Sequence, residues 1–179
     1  DIEPCVSGGT SADHSVGISG TVPVPGRDDA ALTRAQQYMD VTPGQALQGL
    51  PIEAAFIGSC TNARLPDLRV AAEILRGRKV AEGVKAICVP GSMQVRAAAE
   101  AEGLHEVFLE SGFEWRESGC SMCFFAGGEH FGFEERVIST TNRNFESRQG
   151  PKTRTHLASP ATVAASALRG EISDPRDFL

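Results

Sequence analysis

Apolar residues fall along this chain in short blocks, and the spacing inside the blocks alternates between strand-like and helix-like. Residues 1–28 are rich in Gly, Ser, Pro and Val, with brief alternation from Val16 to Val24, which predicts extended segments and turns. Ala31 to Met39 has helical character, broken by Thr42-Pro43-Gly44. Ala54 to Ile57 is a short apolar strand that runs into Gly58-Ser59-Cys60. A helix follows at once: Pro66 suits a first helical position, and Leu68, Ala71, Ala72 and Leu75 keep one apolar face. The alternation continues with a strand over Ala86 to Val89, a helix over Ser92 to Glu102 and a shorter one over His105 to Glu110. Phe113 to Arg116 and Arg136 to Ser139 read as strands, and Ser159-Pro160 starts a last helix through Leu168, with Ser159 as cap.

Strand, loop and helix in regular succession predict an α/β fold with a mainly parallel sheet and helices on both faces. Ligands bind such sheets at the carboxyl ends of the strands. The loops carrying Cys60, Cys120/Cys123 and Asn142/Arg143 all follow predicted strands, which places them on one edge. The 179 residues are enough for one domain with its own core. Residues 1–50 form a turn-rich segment with a helix, and residues 51–179 carry the core.

Charge narrows the partners. The formal net charge of −6 disfavours nucleic acid and an anionic membrane surface, while leaving room for a local arginine cluster to hold an anion. No apolar run approaches the ~20 residues that span a bilayer, and no signal segment opens the chain. Five cysteines without a disulfide-like framework point to a reducing, cytoplasmic setting, where spaced cysteines serve metals or catalysis.

Cys120-x-x-Cys123 offers two thiolates from one short turn, and Cys60 supplies a third if the fold joins the two loops. Taken alone the pair fits a zinc knuckle, a redox pair or a cluster ligand set. Three thiolates on an iron–sulfur cubane leave one iron open to polarise a substrate oxygen. A closed Cys₃His zinc site is the alternative, with His130 or His156 as the fourth ligand. Cys5 and Cys88 read as structural, Cys88 because it lies inside a strand pattern. Asn142-Arg143-Asn144-Phe145-Glu146-Ser147-Arg148 packs two guanidinium groups and two amides into one loop, a composition suited to carboxylate recognition. Arg154 and His156 extend that basic rim or are simply exposed.

Together, Ile57-Gly58-Ser59-Cys60-Thr61-Asn62, Gly119-Cys120-Ser121-Met122-Cys123 and Asn142-Arg143-Asn144-Phe145-Glu146-Ser147-Arg148-Gln149-Gly150 resemble the third domain of the aconitase superfamily. The similarity spans nearly the whole chain, and Gln149-Gly150 leans toward the isopropylmalate dehydratase branch. The resemblance implies that Cys60, Cys120 and Cys123 hold one [4Fe-4S] cluster with one open iron. It implies that Asn142 lies beside the cluster, that Arg143 and Arg148 clamp carboxylates of a small di- or tricarboxylate, and that Asn62 hydrogen-bonds around the cluster sulfurs. It also implies a piece of a longer large subunit, partnered by a small subunit with a swivelling domain, acting as a hydro-lyase in leucine biosynthesis.

The acid–base residues are expected from other domains, so no catalytic residue is assigned to this chain, and the chain alone is expected to be inactive. Homoaconitase, 2-methylmalate dehydratase and aconitase activities are the alternatives within the class. A zinc-binding or metal-free interaction module is the alternative outside it. Three departures from the family pattern stand out: Ser147 replaces a glycine, Val6 to Ala12 lacks the usual Trp and Pro, and Phe124 to Glu135 lacks the usual asparagines.

Overall fold

The computed structural model describes residues 2–119, 121–125 and 129–179. Five parallel strands form the central sheet: β3 (Ala54–Ile57), β4 (Lys85–Cys88), β5 (Glu114–Trp115), β6 (Arg136–Ser139) and β7 (Arg154–Leu157). Their order is β5-β4-β3-β6-β7. The chain therefore builds outward from β3 in one direction, then returns to the other side of β3 with β6. The point where strand order reverses lies between β3 and β6, which is where open α/β sheets bind ligands.

Five helices accompany the sheet: α1 (Ala30–Met39), α2 (Leu65–Leu75), α3 (Met93–Ala101), α4 (Leu104–Ser111) and α5 (Pro160–Arg169). Ser92 and Ser159 cap α3 and α5 by accepting the backbone N–H of Val95 and Thr162. The predicted α/β architecture with a parallel sheet is the one formed, with boundaries shifted by a residue or two. Helices α2 and α5 pack together over one face, closing on Ala55, Ile57, Cys88 and Ile138. The opposite face has a smaller apolar cluster of Ala54, Phe56, Ile87, Val89 and Val137, and no residue of the five α-helices belongs to it. Met122 and Phe131, from the segment between β5 and β6, cover it instead. The segment that carries the cysteine pair is thus anchored by apolar burial, on the order of 2 kcal/mol for each large side chain.

Strand β7 is missing from the sequence expectation, because Arg154-Thr155-His156-Leu157 has charged and polar residues where a buried strand has apolar ones. It also holds down the N-terminal segment. There β1 (Cys5–Ser7) and β2 (Ser15–Gly17) pair antiparallel, and Val6 bridges to Ala158 just past β7. The expected extended and turn-rich start is therefore docked on the same sheet edge as the arginine loop. Among the described residues no helix is long and apolar enough to cross a membrane.

Candidate functional site at the carboxyl edge of the sheet

The Cys60 loop is fixed by what lies under and beside it. A side chain at Gly58 would run into the ring of Phe56, which is fully buried below the loop. Gly58 N–H donates to Thr140 Oγ1 at 2.8 Å, and the Thr140 hydroxyl donates to Gly58 O at 2.7 Å. Thr140 O accepts from Asn62 Nδ2 at 2.8 Å. From the other side, Gly91 N–H donates to Ala63 O at 2.9 Å, and a Cβ at Gly91 would sit 3.0 Å from that same oxygen. The loop after β3 is thus held between those after β4 and β6. One hydrogen of the Asn62 amide is committed to this frame, which leaves its second N–H and its Oδ1 for other contacts.

Cys60 is exposed and Cys123 partly buried, and both line one cavity of about 310 Å³ together with Ser59, Gly91, Gly119, Asn142 and Arg148. Cys120 falls outside the described residues; Gly119, its neighbour in sequence, lines the same cavity. Ser59 and Ser121, which precede Cys60 and follow Cys120, sit at φ 90° and 35°. Left-handed backbone at non-glycine residues costs about 1–3 kcal/mol each and concentrates where ligands are held. Two thiols and an asparagine converging on one cavity at the switch point fit a thiolate-held cluster.

The arginine loop closes the cavity. Arg148 Nε donates to Cys123 O at 2.8 Å, and its Nη2 reaches Asn142 Oδ1 at 3.3 Å. Its guanidinium also lies 5.4 Å from the centre of the Phe145 ring. Nη1 has no hydrogen-bond partner among the described residues. Arg143 is exposed and its side chain makes no hydrogen bond or ion pair with any described residue. It lines a second cavity of about 340 Å³ with Thr10, Ser11, Ala12, Asn142, Asn144 and Phe145. Asn142 belongs to both cavities, so it stands between Cys60, Cys123 and Arg148 on one side and Arg143 on the other. Thr10, Ser11 and Ala12, the end of the Val6–Ala12 stretch that departs from the family pattern, form one wall of the Arg143 cavity.

Sequence reading counted Asn144 among the amides suited to carboxylates and missed Tyr38, and both brace this edge instead. Asn144 is 2% exposed, and its Nδ2 lies within reach of Ser7 Oγ, Gly9 O and Thr155 O. The phenol of Tyr38 on α1 accepts from Ser147 N at 2.8 Å and donates to Thr153 O at 2.9 Å. An amide flanked by arginines and a lone tyrosine on an early helix carry no pattern of their own, so only the fold reveals them.

His156 is corrected by the structure. It is fully buried in β7, with Nδ1 donating to Ser7 O at 2.7 Å and Nε2 accepting from Arg136 at 2.8 Å. Burial first, then the neighbouring Arg136 charge, pulls its pKa down to about 3. It is a neutral structural histidine with both nitrogens engaged, neither a rim cation nor a zinc ligand. Cys88 is fully buried, and burial pushes its thiol well above the usual range. Cys5, expected to be structural, is exposed on β1.

Comparison with known proteins places the sequence in a family. Residues 1–170 match the Aconitase family (aconitate hydratase). A 3-isopropylmalate dehydratase large subunit from Cupriavidus necator is 65% identical over 180 residues, which cover 98% of this chain and 67% of that protein. A 3-isopropylmalate dehydratase large subunit 1 from Bradyrhizobium diazoefficiens is 53% identical over 181 residues, covering 98% of this chain and 38% of that protein. A match running from residue 1 to residue 170 takes in both cysteine loops and the arginine loop, and the chain belongs to the aconitase family.

Proposed function

We propose that this chain is the cluster-bearing domain of a hydro-lyase that isomerises 2-isopropylmalate to 3-isopropylmalate in leucine biosynthesis. The observation that carries the reading is the shared cavity of Cys60, Cys123, Asn142 and Arg148, with Arg143, which has no polar partner among the described residues, lining the adjoining cavity. Cys60, Cys120 and Cys123 would hold a [4Fe-4S] cluster, and Asn62 would lie near its sulfurs. When bound, the cluster supplies an open iron, a Lewis acid for a substrate hydroxyl.

The chain's own residues bind and orient. Arg148 is held as a fork by Cys123 O and Asn142 Oδ1, which leaves Nη1 for a carboxylate. Arg143 takes the second carboxylate, and Asn142, with its Oδ1 engaged, presents its Nδ2 hydrogens to the substrate oxygen. Dehydration breaks the C–O bond as a base takes the proton from the neighbouring carbon. Rehydration returns water with the two positions exchanged. The base is assigned outside this chain, and a small subunit is the expected partner that encloses the substrate.

Iron and acid-labile sulfide analysis of anaerobically purified protein tests the cluster. About four irons are expected, falling away in Cys123→Ala. One zinc without sulfide overturns it. Turnover by the assembled enzyme that carries this chain tests the substrate: preference for citrate, homocitrate or 2-methylmalate over 2-isopropylmalate overturns that assignment.

A further inference from the structure

We infer that Gln149 is a positioning residue that couples the cysteine turn to the arginine fork, so that anion binding at Arg148 and the exposure of Cys123 depend on one another. The inference rests on the proposed function only in taking the anion to be a dicarboxylate. Two consecutive carbonyls of the cysteine turn are gripped by two consecutive side chains of the arginine loop. Gln149 Nε2 donates to Met122 O at 2.8 Å, and Arg148 Nε donates to Cys123 O at 2.8 Å. A return bond runs from Phe125 N to Arg148 O at 2.6 Å.

Gln149 is 1% exposed, and its other ends are fixed as well. Its Oε1 accepts from Thr155 Oγ1 at 3.1 Å on β7, and its backbone O accepts from Phe131 N at 2.9 Å. One buried amide therefore ties the cysteine turn to the sheet, through the residue next to the fork. A fork ordered by a carboxylate draws the Cys123 carbonyl with it, and Gln149 sets the register in which it does so. Binding free energies linked in this way are reciprocal. A polar residue that merely filled space would be worth stability without linking the two events.

The linkage is measurable on the iron-free chain with malonate as the dicarboxylate probe. Alkylation by iodoacetamide is followed at each cysteine by peptide mass spectrometry, with the exposed Cys5 as internal reference. Saturating malonate is expected to slow alkylation of Cys123 by about five-fold or more and to leave Cys5 unchanged. Gln149→Met, of similar length without an amide, is expected to shrink the protection to below about two-fold. Thr155→Val removes only the donor to Gln149 Oε1 and decides alone if far-UV circular dichroism shows Gln149→Met to be unfolded. Full protection in both variants, or none in the parent, overturns the inference. Iron content and turnover judge the proposed function separately. A chain that shows the linkage and takes up zinc keeps this inference and loses the cluster. A chain that loads four irons without the linkage does the reverse.

Discussion

Gly58 and Thr140 exchange two hydrogen bonds across the strand-order switch point, the Gly58 N–H to the threonine hydroxyl and that hydroxyl to the Gly58 carbonyl. Both residues are buried, so this single hydroxyl satisfies a donor and an acceptor that water does not reach.

Thr140→Val, equal in shape, leaves the Gly58 N–H and C=O buried and unpaired. Each such group costs about 1–3 kcal/mol, so a loss of about 2–4 kcal/mol is expected in urea unfolding. Thr140→Ser restores the hydroxyl and is expected to recover most of it. A loss below about 0.5 kcal/mol in Thr140→Val would show that the Cys60 loop does not depend on this exchange.

Ser147 explains how a family departure is tolerated. It stands at φ 63°, where glycine is unstrained, and its Oγ accepts from Lys152 N at 3.0 Å. Ala and Gly both remove the hydroxyl, but only Gly removes the left-handed strain. Ser147→Gly is therefore expected to be more stable than Ser147→Ala by about 1 kcal/mol, as read from paired thermal or urea unfolding curves. Equal stabilities would mean that the turn relaxes out of the left-handed region.

These cases show what was legible in the sequence. Ala54–Ile57 and Arg136–Ser139 announced themselves as apolar blocks, and Pro66, Ser92 and Ser159 marked helix starts by local chemistry. Cys60, Asn142, Arg143 and Arg148 were legible because their residue types carry chemistry wherever they lie. Strand β7 was not, since His156 and Arg154 look exposed until Ser7, Arg136 and Tyr38 satisfy them from distant positions. Thr140, Asn144 and Gln149 matter through partners tens of residues away, and pattern reading along the chain does not see those.

The buried His156 sets a pH dependence. Its folded pKa is about 3, against an ordinary value of 6.5, so the unfolded chain binds a proton that the folded one refuses. Stability is then full above about pH 6.5 and falls as pH drops toward 3, approaching about 1.4 kcal/mol per pH unit well below 6.5. Urea midpoints between pH 5 and 7 check this, above the range where most carboxylates titrate. His156→Gln is expected to be less stable at pH 7 and to have a flatter profile. An unchanged slope in the variant would assign the dependence to other groups.

Arg143 and Arg148 differ in what the fold asks of them, and paired substitutions separate binding from structure. Arg148 holds Cys123 O and Asn142 Oδ1, so Arg148→Ala is expected to cost about 1–2 kcal/mol of stability. Arg143 is exposed and without a polar partner among the described residues, so Arg143→Ala is expected to leave stability within about 0.5 kcal/mol. In the assembled enzyme both variants are expected to lose about 100-fold or more in kcat/KM, because each removes a charged partner for a substrate carboxylate. Arg143→Lys keeps the charge but not the planar fork and is expected to fall between parent and alanine. Unfolding curves and steady-state kinetics on the same preparations check the pair. If Arg143→Ala retained parent kcat/KM, the second cavity would not be a carboxylate site, and the substrate would be held from the cysteine side by Arg148 alone.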